Sequence, residues 1–113
     1  MNRASRGEIW LVNLDPTQGR EQAGIRPILI ISVDGFNHGA AELVVGIPVT
    51  SKAKGIPLHV EINPPEGGLS VKSYAKCEDV RSISTSRLVK KFGTVSEQTI
   101  EKVEDRLKIL LGL

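Results

Sequence analysis

The segment Pro27-Ile28-Leu29-Ile30-Ile31 is apolar at both odd and even positions. A strand with one wet face alternates in hydrophobicity; one that does not alternate needs cover on both faces. This segment is therefore predicted to be a central strand, buried above and below. A chain of 113 residues has room for one domain with a real core and not for two. The remaining strand candidates are Glu8–Leu14, Glu42–Val49, Leu58–Ile62 and Val71–Cys77, with the central strand itself running Pro27–Val33, all separated by Gly, Pro and Asn punctuation. In Leu58–Ile62 the alternation is clean: Leu58, Val60 and Ile62 face a core, His59 and Glu61 face out. Thr85–Lys91 reads as a short helical turn and Gly93–Val95 as a last short strand. Ser96 suits an N-cap for a final helix with Ile100, Val103, Leu107, Leu110 and Leu111 on one face and Gly112 past its end. Short, regularly spaced strands and one terminal helix predict a mainly β (α+β) fold, a small curled antiparallel barrel with a C-terminal α-helix, as one domain over 1–113.

Composition narrows the class. A single cysteine, Cys77, excludes a disulfide framework and a structural zinc cluster, and among strand residues it reads as a small buried hydrophobe. The start, MNRASRGEIW, has no apolar signal stretch and no run reaches membrane-spanning length, so a cytoplasmic protein without a membrane partner is expected. A net charge of +2 permits nucleic acid without arguing for it. No Walker motif, glycine-rich phosphate loop or metal-spaced His/Glu pair is present, so neither metal nor cofactor is expected.

Chemistry concentrates between the first two strands. The polar loop there carries Asp15, Gln18, Arg20, Glu21, Gln22 and Arg26, and loops held by rigid strands are where binding residues gather. Arg26 precedes Pro27, which biases its backbone to an extended conformation and holds its guanidinium at the mouth of the second strand, suited to a phosphate. A surface pair with Glu21 or Asp15 is the alternative. Thr50 ends the third strand, where its hydroxyl could donate to a phosphate oxygen beside the point charge of Lys52; a local backbone bond would also satisfy it. Arg81 either binds or pairs with Glu78 or Asp79, and Arg87, Lys90 and Lys91 read as a solvated face. Of the four aromatic residues, Trp10 belongs to the core.

Several stretches, in order and spacing, carry a resemblance: RGEIWLVNLDPTQGREQ (6–22), RPILIIS (26–32), DGFN (34–37), PVTSK (48–52), PLHVEI (57–62), GL (68–69) and CEDVRSIS–RL (77–88). Across nearly its whole length the chain resembles the MazF/PemK family of toxin endoribonucleases. The resemblance implies an SH3-like barrel, a homodimer, and neutralisation by a cognate antitoxin. It also implies metal-independent cleavage of single-stranded RNA through the substrate's own 2′-hydroxyl. It puts the family's catalytic arginine at Arg26 and its threonine at Thr50. Where many members have an aspartate, the segment Arg81-Ser82-Ile83-Ser84 has Ser84, so Glu21 is the candidate proton acceptor, with Glu78 and Asp79 as others. Gln18, Gln22, Ser51, Lys52, His59 and Arg81 are the candidate RNA contacts. With so few aromatics, selectivity is expected mainly from loop hydrogen bonds to splayed bases rather than from an extended stacking platform. Two other classes compete: a CcdB-like toxin that binds gyrase without catalysis, and a plain SH3-like interaction module. The Arg26/Thr50 pair with its polar loop favours the enzyme over both.

Overall fold

The computed structural model describes residues 3–15 and 24–113. Its elements are β1 (Glu8–Asn13), β2 (Ile25–Ile30), a short helix α1 (Asp34–Asn37), β3 (Leu43–Thr50), β4 (His59–Ile62), β5 (Ser73–Lys76), β6 (Arg81–Ser84), β7 (Leu88–Thr94) and α2 (Glu97–Leu111). The strands form one curled antiparallel sheet ordered β4-β5-β3-β2-β1-β7, with β6 also paired to β3. The path is open rather than closed end to end. Strand β3 carries the bend: Leu43–Gly46 pairs with β6, while Val49 and Thr50 pair with β5.

The central-strand expectation holds. Ile28, Leu29 and Ile30 are fully buried. Ile28 and Ile30 enter one core with Trp10, Val12, Leu14, Val44, Ile83 and Leu88, enclosed by β1, β2, β3, β6 and β7. Leu29, on the other face, enters a second core with Ile9, Ile47, Val60, Ile62 and Val103, which α2 covers. Trp10 is buried as expected, and its ring N–H donates to Glu8 Oε1 at 2.9 Å. That carboxylate also takes the Ser5 N–H and the Lys91 ammonium, both at 2.8 Å.

Four expectations are corrected. Only Thr85–Arg87 forms a helical (3-10) turn; residues 88–91 belong to β7, because hydrogen bonds to β1 outweigh a local charge spacing that suits a helix. Strand β6 was not anticipated: Arg-Ser-Ile-Ser offers one apolar residue, and only its pairing to β3 makes it a strand. The strand expected over Val71–Cys77 shortens to Ser73–Lys76, and Cys77, fully buried, opens a 3-10 turn. The side chain of His59, expected to face solvent, is only 3% exposed, and its Nε2–H donates to the Glu78 carboxylate, 2.8 Å from Oε2. Burial pushes the Cys77 thiol up to about 11, with the neighbouring Glu78 charge adding to it, so it stays neutral.

Helix α2 starts and stops as predicted. The Ser96 hydroxyl accepts from the Thr99 N–H at 3.2 Å, and Gly112 takes the left-handed conformation past the end, φ 71°. The apolar stripe divides: Val103 is buried and Ile100 and Leu107 pack on the core, while Leu110, Leu111 and the neighbouring Ile109 remain exposed. In β3, Val44, Ile47 and Val49 are spent on the chain's own cores. Arg6 ties the helix to the sheet, donating to the Ile31 carbonyl and to Glu104 Oε2, the latter at 2.8 Å.

Glu66 secures the helix start. Its Oε2 accepts from the Ser96 N–H at 3.0 Å, from the Ser96 hydroxyl at 3.2 Å and from the Thr99 hydroxyl. Burial works to raise its pKa, but these donors outweigh it and hold the carboxyl below its ordinary value. A depressed carboxylate adds stability above its unfolded pKa and loses it as pH falls through the folded one. Glu66→Gln should therefore cost on the order of 1 kcal/mol near neutrality. In urea denaturation the gap to the parent should close at pH values below the ordinary carboxylate range; a constant gap contradicts the account.

Candidate functional site

Strands β2 and β3 run antiparallel with Ile28 opposite Pro48 and Leu29 opposite Ile47. Two residues beyond the Ile28–Pro48 pair, the same register carries Arg26 on one strand and Thr50 on the other, on one face of the sheet. Both lie where the covered core ends: Arg26 is exposed and Thr50 partly so. Arg26 sits within β2, opposite Val12, in the extended conformation that Pro27 favours.

The two line one cleft of about 380 Å³ together with Ser51 and Lys52 from the segment after β3. Its opposite wall is Gly68–Val71 with Ser73, and Phe92 of β7 closes one side. Two cations, Arg26 and Lys52, and the hydroxyls of Thr50, Ser51 and Ser70 therefore belong to the lining, while the Ser73 hydroxyl is donated to the Val71 carbonyl. Among the described lining residues there is no carboxylate. Such a set suits an anion, since cations and O–H donors favour negative charge. Thr50 Oγ1 accepts the Lys52 N–H at 3.2 Å, which engages a lone pair and leaves the hydroxyl hydrogen for another acceptor.

The base of the loop between β1 and β2 is tied down. Leu14 N–H donates to the Gly24 carbonyl at 2.8 Å, Gly24 N–H to Asp15 Oδ1 at 2.8 Å. Arg87, read from the sequence as solvated, donates to the Asn13 and Asp15 carbonyls at 3.0 and 2.8 Å. Glu21, Gln18 and Gln22 lie outside the described residues.

The remaining sequence candidates are elsewhere. His59 is covered and its Glu78 partner is occupied by it; Asp79 pairs with Lys76 at 2.9 Å. Arg81 stands opposite Gly46 on β6, outside the cleft lining. Ser84 stands opposite Leu43, seven residues along β3 from Thr50, which at the usual rise is about 23 Å of strand. There it caps the Thr85–Arg87 turn, with its hydroxyl 2.9 Å from that of Ser86. The wall residues Ser70, Val71 and Phe92 were not among the candidate site residues, and Gly68-Leu69 entered only as a stretch carrying the family resemblance. The local signal for the wall is the doubled glycine, Gly67-Gly68, which marks a backbone approach rather than a mere boundary.

That approach is visible. A Cβ on Gly68 would fall 2.1 Å from the Phe92 carbonyl oxygen, and one on Gly93 would fall 2.7 Å from the Gly67 and Gly68 backbone. Only hydrogen fits between the wall and β7. Among the described residues, no group of three or more His, Cys, Asp or Glu side chains could hold a metal ion, and no helix is long and apolar enough to cross a membrane.

Comparison with known proteins identifies the family and the fold. Residues 5–111 match the family model described as PemK-like, MazF-like toxin of type II toxin-antitoxin system. Endoribonuclease MazF9 of Mycobacterium tuberculosis (strain ATCC 25618 / H37Rv) is 40% identical over 113 residues, 96% of each chain. Among solved structures, MazF from Deinococcus radiodurans superposes with a TM-score of 0.87 at 29% identity over 100% of both chains. The MazE–MazF complex of that organism (form II) superposes at 0.82 with 30% identity, covering 100% of this chain and 99% of the other.

Two substitutions test the geometry. Gly68→Ala should destabilise the fold by on the order of 3 kcal/mol, since the added methyl meets backbone and the residue needs φ 74°; a melting temperature equal to the parent's would disprove the contact. Glu78→Ala strands a buried imidazole whose Nδ1 already has no partner and should cost roughly 1–3 kcal/mol in a thermal melt.

Proposed function

Given that the chain belongs to the PemK-like, MazF-like toxins of type II toxin–antitoxin systems, we propose that it is a cytoplasmic endoribonuclease that cuts single-stranded RNA at the Arg26–Thr50 cleft. The observation that carries the reading is the cleft's composition: two cations and the hydroxyls of Thr50, Ser51 and Ser70 around space for a phosphate, with no described carboxylate among them.

The reaction uses the substrate as its own nucleophile. The 2′-oxygen attacks the neighbouring phosphorus, the O2′–P bond forms and the P–O5′ bond breaks. The fragments end in a 2′,3′-cyclic phosphate and a 5′-hydroxyl. As charge gathers on the non-bridging oxygens, the Arg26 guanidinium forks onto two of them and the Thr50 hydroxyl donates to one, while Lys52 contributes a nearby positive charge. The 2′-hydroxyl proton passes to a carboxylate, for which Glu21 in the first loop is our candidate, and the departing 5′-oxygen takes up a proton as its bond breaks. Gln18, Gln22 and Ser51 supply hydrogen bonds to bases. His59 is left out of this scheme because its side chain is covered.

The antitoxin and a second copy of the chain complete the system. An acidic antitoxin segment competes with RNA by setting carboxylates on Arg26, Lys52 and Arg81. The exposed apolar end of α2, with Ile109 and Leu111, gives the homodimer a surface to bury.

Incubating the protein with a long RNA in EDTA and mapping the ends should yield discrete cuts with 2′,3′-cyclic phosphate and 5′-hydroxyl termini. Deoxyribose on the 5′ side of a cut should abolish it, and continued cleavage there would overturn the mechanism. Arg26→Ala and Thr50→Ala should each lower turnover by on the order of a hundredfold, the scale of losing one preorganised contact to a transition state. Neither should lower the melting temperature appreciably, because both side chains stand at the cleft rather than in a core.

A further inference from the structure

One wall of the cleft is apolar, and the cleavage chemistry has no use for it. Phe92 is 37% exposed beside Arg26 and Thr50. A phenyl ring left open among cations and hydroxyls offers a face on which a planar group can lie.

Its backbone is built for display. In the pairing of β1 with β7, Ile9 stands opposite Gly93 and Trp10 opposite Lys91, with a register shift between them. Phe92 is therefore the extra residue of a β-bulge, the device that re-aims a side chain out of its alternation. Hydrogen-only contact of Gly68 with the Phe92 carbonyl and of Gly93 with Gly67 and Gly68 then locks the bulge against the opposite wall. Ser73 fixes the far rim, its hydroxyl donating to the Val71 carbonyl at 2.9 Å, and leaves Val71 54% exposed.

We propose that Phe92 is a specificity-determining residue that stacks on the base of the nucleotide adjoining the cut phosphate, in the notch it forms with Val71. This rests on the reading of the cleft as an RNA-cutting site. A base in the notch is held at its face by the ring, while its phosphate lies on Arg26 and Thr50. Stacking is tolerant of base identity but not indifferent to it, so Phe92 weights one position and loop hydrogen bonds refine it. One ring on a bulge is not an extended platform, and it suits a protein with few aromatics.

The test begins from the cuts mapped for the parent chain. Phe92→Ala should raise KM by about 5- to 100-fold, the range for removing a stacking aromatic, change kcat far less, and flatten base preference at one position beside the cut. Phe92→Tyr and Phe92→Trp should keep the parent's KM and profile, and Phe92→Leu, with bulk but no aromatic face, should behave like the alanine variant. In Phe92→Trp the new indole should be quenched by the 2′-deoxy analogue of the cut sequence, against a parent whose Trp10 is buried. The proposal is overturned if the alanine variant keeps the parent's KM and cut profile, if leucine substitutes fully, if the alanine variant loses kcat along with its fold, or if the indole binds the analogue unquenched. A parent chain that cuts no RNA removes the underlying reading, and this proposal with it.

Discussion

Burial of β2 on both faces, between hydrogen-bonded neighbours β1 and β3, is the constraint on which the rest of the structure depends. Ile28 and Ile30 demand one core and Leu29 another, so the sheet must curl around one side and carry a helix on the other. The helix is held there by the Arg6 bonds and the Glu66 cap. The register of β2 with β3 then leaves no freedom in where Arg26 and Thr50 meet. A one-residue slip of either strand would turn its own side chain, Arg26 or Thr50, to the other face and part the pair. Site geometry is thus a by-product of core packing.

Charge is distributed in keeping with this. The described carboxylates nearest structural elements are occupied there: Glu8 under Trp10 and Lys91, Glu66 at the start of α2, Glu78 on His59, Asp79 on Lys76. The charged side chains among the described cleft lining are the cations Arg26 and Lys52. The described carboxylates are thus placed apart from these two cations in a chain whose net charge is only +2, and a local field is set by such placement rather than by net charge.

The cleft has two sides built by different physics. On the β2–β3 side, residues are set by ladder hydrogen bonds and by the stiffness of Pro27. On the other, a loop and a bulged strand touch backbone to backbone through Gly67, Gly68 and Gly93, and Phe92 is displayed at the seam. Arg26 and Thr50 sit on the rigid ladder, and Phe92 sits on the bulge that the glycine contacts hold in place.

The residues themselves determined the central strand and the capped terminal helix, because hydrophobic period and N-cap chemistry act over a few positions, whereas Arg26 and Thr50 were paired only by the family resemblance. The family resemblance was likewise legible from Arg6 to Leu88, and the match over residues 5–111 agrees with it. Strand β6 and all but the end of β7 were not legible, although Gly93–Val95 was expected as a short strand: one is a polar tetrapeptide and the other a charged segment of helical spacing, and each becomes a strand only by completing the hydrogen bonds of a neighbour. His59 read as outward by alternation, yet tertiary packing covers it and gives it Glu78. The display of Phe92 and its contact with the glycine wall were invisible for the same reason. Local sequence sets which backbone states are cheap, while a bulge or a contact between segments more than twenty residues apart is chosen by the whole fold, since only there are the competing backbone groups either paired or left bare.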